Sequence, residues 1–212
     1  MERLIAELED LTLDRPSEGL ESVDPLDCGE VLPKVLETYP LHLMAGNYHE
    51  LLGKKLKVEN KIISFVTISP SDLVSKEFEI EKNEKIIFIE RLRYVNDEPM
   101  YFSDIFIPLK KAKSLKKEDI ERGSFYDILR KKFKIEITEC KRTIDASVAG
   151  REISAYLNIK PSSPIFILED RPYDEFKSLI AYTITRIRAE KVKFEVDIIS
   201  NQNVRMTTSF RQ

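Results

Sequence analysis

Arg91 and Arg93 stand two residues apart in the segment IIFIERLRYV, residues 86–95. The isoleucines, Phe88 and Leu92 around them predict an apolar strand. Side chains alternate along a strand, so Ile87, Ile89, Arg91 and Arg93 share one face, while Ile86, Phe88, Glu90, Leu92 and Tyr94 share the other. The second face is apolar enough to pack against a helix. The first passes from apolar to doubly cationic, with the two arginine Cα atoms about 7 Å apart. Two planar guanidinium forks at that spacing suit one carboxylate or phosphate. A structural ion pair with an acid elsewhere in the chain, such as Glu169 or Asp170, uses the same residue types. The residues alone leave both open.

Other candidates lie near this strand in the expected fold. Ser124 opens GSFYDILRKKF, a helix with Phe125, Ile128, Leu129 and Phe133 on one face. Its hydroxyl either holds an anion with the helix amides or caps the helix, with Asp127 three residues later in a capping-box-like position. Tyr101 and Ser103 fall on the strand that should pair with the arginines. Thr183, Thr185 and Arg188 fall on a later strand pair, where Arg188 is expected to pair with Glu190. Cys140 has nothing beside it in sequence to activate a thiol. With two cysteines far apart and two histidines, neither a zinc site, a disulfide framework nor a cofactor is expected.

The elements that would position these residues repeat themselves. Val74–Tyr94 aligned with Ile153–Tyr173 gives a constant offset of 79 residues. Ile80 falls on Ile159, Ile86 on Ile165, Glu90 on Glu169 and Tyr94 on Tyr173. Each copy reads as strand (61–68; 136–147), short helix (72–78; 151–157), polar turn, apolar strand (86–94; 165–173), turn and strand (100–108; 179–188). Two copies are too few for a solenoid. They predict a pseudo-symmetric α+β domain, built from repeats at about 61–108 and 136–188. Its sheet is mostly antiparallel because the connections, such as Asn96-Asp97-Glu98-Pro99, are tight turns. KFEVDII is expected as a last strand, and residues 200–212 as a mobile polar tail.

Hydrophobic residues make up 42% of the chain and charged residues 33%, which predicts a packed core. No apolar run is long enough to span a membrane, and the acidic start MERLIAELED lacks the features of a signal peptide, so a cytoplasmic location is expected. Residues 1–45 read as an acidic helical extension and linker. Residues 1–50 carry three basic and twelve acidic side chains, a net of −9 against −3 for the whole chain. Such a segment is a poor partner for a phosphate backbone. The Lys110, Lys111, Lys113, Lys116 and Lys117 cluster reads as a solvated face rather than a nucleic-acid patch.

In order and spacing, ERLRYVNDEPMYFSDIFIP, GSFYDILRKKFKI and YTITRIRAEKVKFEV resemble the UTRA domain, the effector-binding half of HutC-type regulators of the GntR family. The resemblance covers about residues 46–199. It implies a chorismate lyase-like fold that senses a small acidic metabolite, a carboxylate or phosphate, and regulates transcription as a homodimer or through a partner. It implies effector contacts from Arg91 and Arg93, and phosphate-binding groups at the short helix opened by Asn47, Tyr48 and His49. Tyr101, Ser103, Ser124 and Thr183 complete the candidate ligand site. The chain departs from the family where it has Ala181 for a Glu and Ile187 for a Tyr. Residues 1–45 contain no winged helix-turn-helix pattern, so DNA contact is expected only through a partner chain. Two alternatives remain. One is a lyase with Arg91 as substrate clamp, whose acid position holds Ile184, with Asp104 the nearest substitute. The other is a protein-interaction module that has lost its ligand.

Overall fold

The computed structural model describes residues 56–121, 123–199 and 203–210. The expected acidic extension over residues 1–45, and Asn47, Tyr48 and His49, lie outside the described residues.

The first repeat comprises β1 (Val58–Ile68), α1 (Asp72–Phe78), β2 (Ile86–Val95) and β3 (Glu98–Pro108). A connection bearing α2 (Lys117–Glu121) and α3 (Phe125–Phe133) leads to the second repeat. That comprises β4 (Ile137–Val148), α4 (Arg151–Leu157), β5 (Pro164–Asp174) and β6 (Tyr182–Arg188). The six strands form one antiparallel sheet in the order β1-β2-β3-β6-β5-β4. The order reads the same from either end when repeats are exchanged, as the expected pseudo-symmetry requires.

The correspondence extends to backbone detail. Glu79 after α1 and Asn158 after α4, 79 residues apart, both take left-handed conformations, at φ 51° and 52°. Ile80 N–H and Ile159 N–H then donate to Ser75 and Ser154 carbonyls, each at 3.0 Å, closing the two helices alike. From β3 onward the offset becomes 80: the 3-10 turns Leu109–Lys111 and Ala189–Lys191 follow β3 and β6 at that spacing. The pair Asp104 and Ile184, in register at the β3–β6 junction, therefore marks the pseudo-twofold axis. The β2–β3 hairpin turns at Asn96 and Asp97, both at positive φ (50° and 65°), the geometry that suits the sheet's right-handed twist.

The sheet's two faces are covered differently. On one, Phe102 stacks on Tyr156 of α4 with ring centroids 4.5 Å apart. On the same face Arg171 of β5 donates to Glu77 of α1 from Nε (2.8 Å) and Nη2 (2.9 Å). Each helix is thus clamped onto strands of the other repeat. The opposite face carries two apolar clusters. Ile87, Ile89, Ile105, Ile107, Ile120 and Leu129 centre one beneath α2 and α3. Val95, Met100, Tyr101, Leu168 and Ile187 form the other.

Two expectations need correction. β6 begins at Tyr182 rather than Leu179, which makes only an isolated bridge to Tyr173. Residues 203–210 of the tail expected to be mobile form β8 (Asn203–Phe210), paired antiparallel with β7 (Val192–Ile199). A polar segment gains its backbone hydrogen bonds from a partner strand, whatever its hydropathy.

Candidate functional site

Between the two apolar clusters the sheet face turns polar, because the residues pointing there alternate with those under α1 and α4. Cross-strand register sets three rows on this face. In the first, Arg91 stands opposite Ser103, which stands opposite Thr185, then Leu168. In the second, Asp170 stands opposite Thr183, then Ile105 and Ile89. In the third, Asn60 stands opposite Arg93, then Tyr101 and Ile187. The repeat offsets map the first row onto the second.

Apart from Ile89 and Asn60, the residues of these rows floor a cavity of about 40 Å³, with Phe125 and Tyr126 of α3 and Arg142 of β4 also on its walls. That volume is room for about three ordered waters, or one compact anionic group. Arg91 is 7% exposed, and its Nε and Nη1 are buried without a hydrogen-bond partner among the described residues. Burial, and then the neighbouring Arg93 charge, hold the Arg91 pKa well below that of a free guanidinium. Arginine does not surrender its proton at accessible pH, so an anion rather than deprotonation relieves such a site.

Arg93 is held in place. Its Nε donates to Asn60 Oδ1 at 3.0 Å, and its guanidinium lies 6.0 Å from the Tyr101 ring centre. Asn60 Nδ2 in turn donates to the carbonyls of Ile120 (3.3 Å) and Gly123 (3.4 Å). One amide thereby ties the second arginine to the segment that enters α3.

Ser124 sits at the N-cap of α3, but its side chain makes no capping bond, contrary to the capping-box pattern. Asp127 is taken by Arg130 (3.1 Å) and Lys131 (3.7 Å) instead. The Ser124 Oγ is buried without a hydrogen-bond partner among the described residues, at the N-terminal end of α3.

Across the cavity, Arg142 donates to Asp170 from Nε (2.5 Å) and Nη2 (2.8 Å), a fork-on-carboxylate pair about one tenth exposed. Burial opposes the Arg142 charge, but Asp170 outweighs it and raises the pKa. Beside this pair, burial and then the Asp170 charge push the Cys140 thiol up to about 12, so it is not a nucleophile at neutral pH. Ser103 and Thr185 share a hydroxyl hydrogen bond of 3.0 Å on the floor.

Of the sequence candidates, Arg91, Arg93, Tyr101, Ser103 and Thr183 line one cavity. Ser124 adjoins Phe125 on its wall without lining it. Sequence reasoning missed Arg142, Tyr126 and Asn60 as participants. Ile187 lines the cavity, whereas Ala181 is fully buried in the apolar cluster beneath α2 and α3. The expected Arg188–Glu190 pair is present at 2.7 Å. Among the described residues no cluster of His, Cys, Asp or Glu is arranged to hold a metal, and no helix is long and apolar enough to cross a membrane.

The family model of the UTRA domain matches residues 53–193. The chain belongs to the UTRA domain family. Among curated relatives, it is 23% identical over 145 residues to the "Probable fructoselysine utilization operon transcriptional repressor" of Escherichia coli (strain K12), covering 68% of this chain and 58% of that protein. It is 22% identical over 180 residues to the HTH-type transcriptional regulator GmuR of Bacillus subtilis (strain 168), covering 82% of this chain and 72% of the relative. Among solved structures, the effector domain of PhnF from Mycobacterium smegmatis superposes with a TM-score of 0.63 at 15% identity, over 69% of this chain and 90% of that one. The UTRA fold, a chorismate lyase-like α+β sheet, is thereby the fold of this chain. The chain spans a little under three fifths of the length of the first relative. The relatives are named as transcriptional regulators, not enzymes. The lyase reading also lacks its acid: Ile184 and Asp104 stand opposite each other on the helix-covered face, away from the Arg91 cavity.

Proposed function

We propose that this UTRA domain binds a small acidic effector, a carboxylate or phosphate, and that binding regulates transcription. The observation that carries it is Arg91, buried on a cavity wall with two N–H-bearing nitrogens unpaired among the described residues. Leaving such groups unpaired costs free energy in the empty protein, and an anion recovers it. Arg93, Ser103 and Thr183, which line the same cavity, supply further donors. In this reading the effector's anionic head sits at the Arg91 end of the cavity, and its remainder runs along the hydroxyl-lined floor toward Asp170 and beyond.

The regulators named above support the functional half of the reading. As in a HutC-type regulator, the effector selects one of two arrangements of a homodimer, and it shifts that equilibrium only by its difference in affinity for the two. DNA is contacted through a DNA-binding partner rather than by the acidic residues 1–45.

The test is a thermal-shift and calorimetric screen of the full chain with inorganic phosphate, short carboxylates and sugar phosphates. At least one anion should raise Tm, and Arg91→Met should abolish that rise. Indifference of the wild-type chain to every anion overturns the proposal.

A further inference from the structure

Arg91 and Asp170 occupy equivalent places in the two repeats, 79 residues apart, and both line the same cavity. A pseudo-twofold site would normally offer the same charge at both ends. Here one end is a cation with open donors, and the other is a carboxylate already matched by Arg142. Their strands are three apart, so the two backbones are about 14 Å from each other, and the side chains reach inward from there.

Resting on the reading of the cavity as an anion site, we infer that Asp170 is its specificity-determining residue. By neutralising Arg142, it limits the cavity to effectors with a single anionic group and leaves the far end for a neutral, hydroxyl-bearing portion.

Three observations carry this. The Arg142–Asp170 pair is bidentate and almost fully buried, so its charges cancel where the low dielectric would magnify either alone. Thr183 stands opposite Asp170, and Thr185 and Ser103 follow toward Arg91, so the path between the ends is lined with hydroxyls rather than cations. The first repeat has no counterpart of the Arg142 pairing: the residue 79 before Arg142 is Ile63, at the β1 bulge, and Arg91 is left for a ligand. An effector with a second anionic group would place it against Asp170 with Arg142 already engaged.

The test uses butyrate and succinate, matched in chain length and differing by one carboxylate, with inorganic phosphate as a further probe. Affinities are measured calorimetrically on the full chain. The wild type should favour butyrate over succinate. Asp170→Asn frees the Arg142 charge and should raise succinate affinity about tenfold, with butyrate changing less than about threefold. Arg142→Gln leaves the Asp170 charge bare and should weaken butyrate, succinate and phosphate about tenfold each. The double variant restores neutrality and should return the preference to within about threefold of wild type. A purely structural pair would instead weaken binding in all three variants, which overturns the inference, as does an unchanged preference in Asp170→Asn. If the wild type binds none of the three probes but binds another anion, the same comparison is made with that anion and its dianionic homologue. If the wild type binds no anion, the anion-site reading falls and this inference falls with it.

Discussion

Glu90 and Asp104 stand directly opposite each other across β2 and β3, two carboxylates in register on the helix-covered face. Asp104 is fully buried and accepts a 2.6 Å hydrogen bond from Arg186 Nη1. Glu90 is half-buried, and burial, followed by the charges of Asp104 and Glu152, raises its pKa above 4.5. A raised carboxyl pKa means the folded state favours the protonated acid, so this contribution is full at pH below the ordinary glutamate value. It is lost as pH rises through the folded value. Glu90→Gln should therefore raise Tm at pH 7, with the gain shrinking toward pH 4. Thermal melts across that range check it, and a gain that grows on acidification refutes it.

Arg91 places a cation in the wall with its Nε and Nη1 unpaired among the described residues, a cost to stability that a bound anion would relieve. Arg91→Met keeps most of the side-chain volume and removes the charge. In anion-free buffer it should stabilise the domain by about 1–3 kcal/mol. In saturating effector the order should reverse, because only the wild type gains binding energy. Urea unfolding with and without the anion reads both. A variant less stable than wild type in anion-free buffer would mean that Arg91 has a structural partner.

Asn60 joins Arg93 to the carbonyls of Ile120 and Gly123. Asn60→Ala leaves those part-buried groups without their amide partner, a loss of about 1–3 kcal/mol. The change should appear as faster amide hydrogen exchange over residues 120–128 and as weaker anion binding. Unaltered exchange there would show that the segment is held by something else.

Arg171 is the fastening of α1. It donates to Glu77 through two bonds and to Glu169 Oε2 at 2.8 Å, and lies 4.7 Å from the Tyr182 ring centre. Arg171→Met should cost about 1–3 kcal/mol, the range for charge-assisted hydrogen bonds. The loss should fall first on exchange protection of residues 72–80. Equal loosening of α1 and α4 would contradict the assignment.

Much of this arrangement is legible in the residues. The 79-residue offset shows because the core positions of α1 and α4, and of β2 and β5, need the same side-chain types. Strand alternation correctly put Arg91 and Arg93 on one face, with Tyr101 and Ser103 beside them. The extra residue that makes the offset 80 in β3 and β6 is hidden, because β3 is buried on both faces and carries no alternation to align. Arg142 is hidden for another reason. Its meeting with Asp170 depends on the β4–β5 register, which shifts at a bulge between Ile137 and Glu139. Ser124 shows the limit of a local motif: the serine and Asp127 have capping-box spacing, yet surface lysine and arginine claim the aspartate.

The exchange of helices between repeats makes the two halves mutually dependent. Glu77 reaches strand β5 and Tyr156 reaches strand β3, so a half severed within the connection between β3 and β4 would carry a helix with its fastening missing. Two such fragments, each unable to complete its own sheet face, should recover the native sheet only on meeting one another. The connection between β3 and β4 is thus a natural site for dividing this domain into a complementing pair of polypeptides.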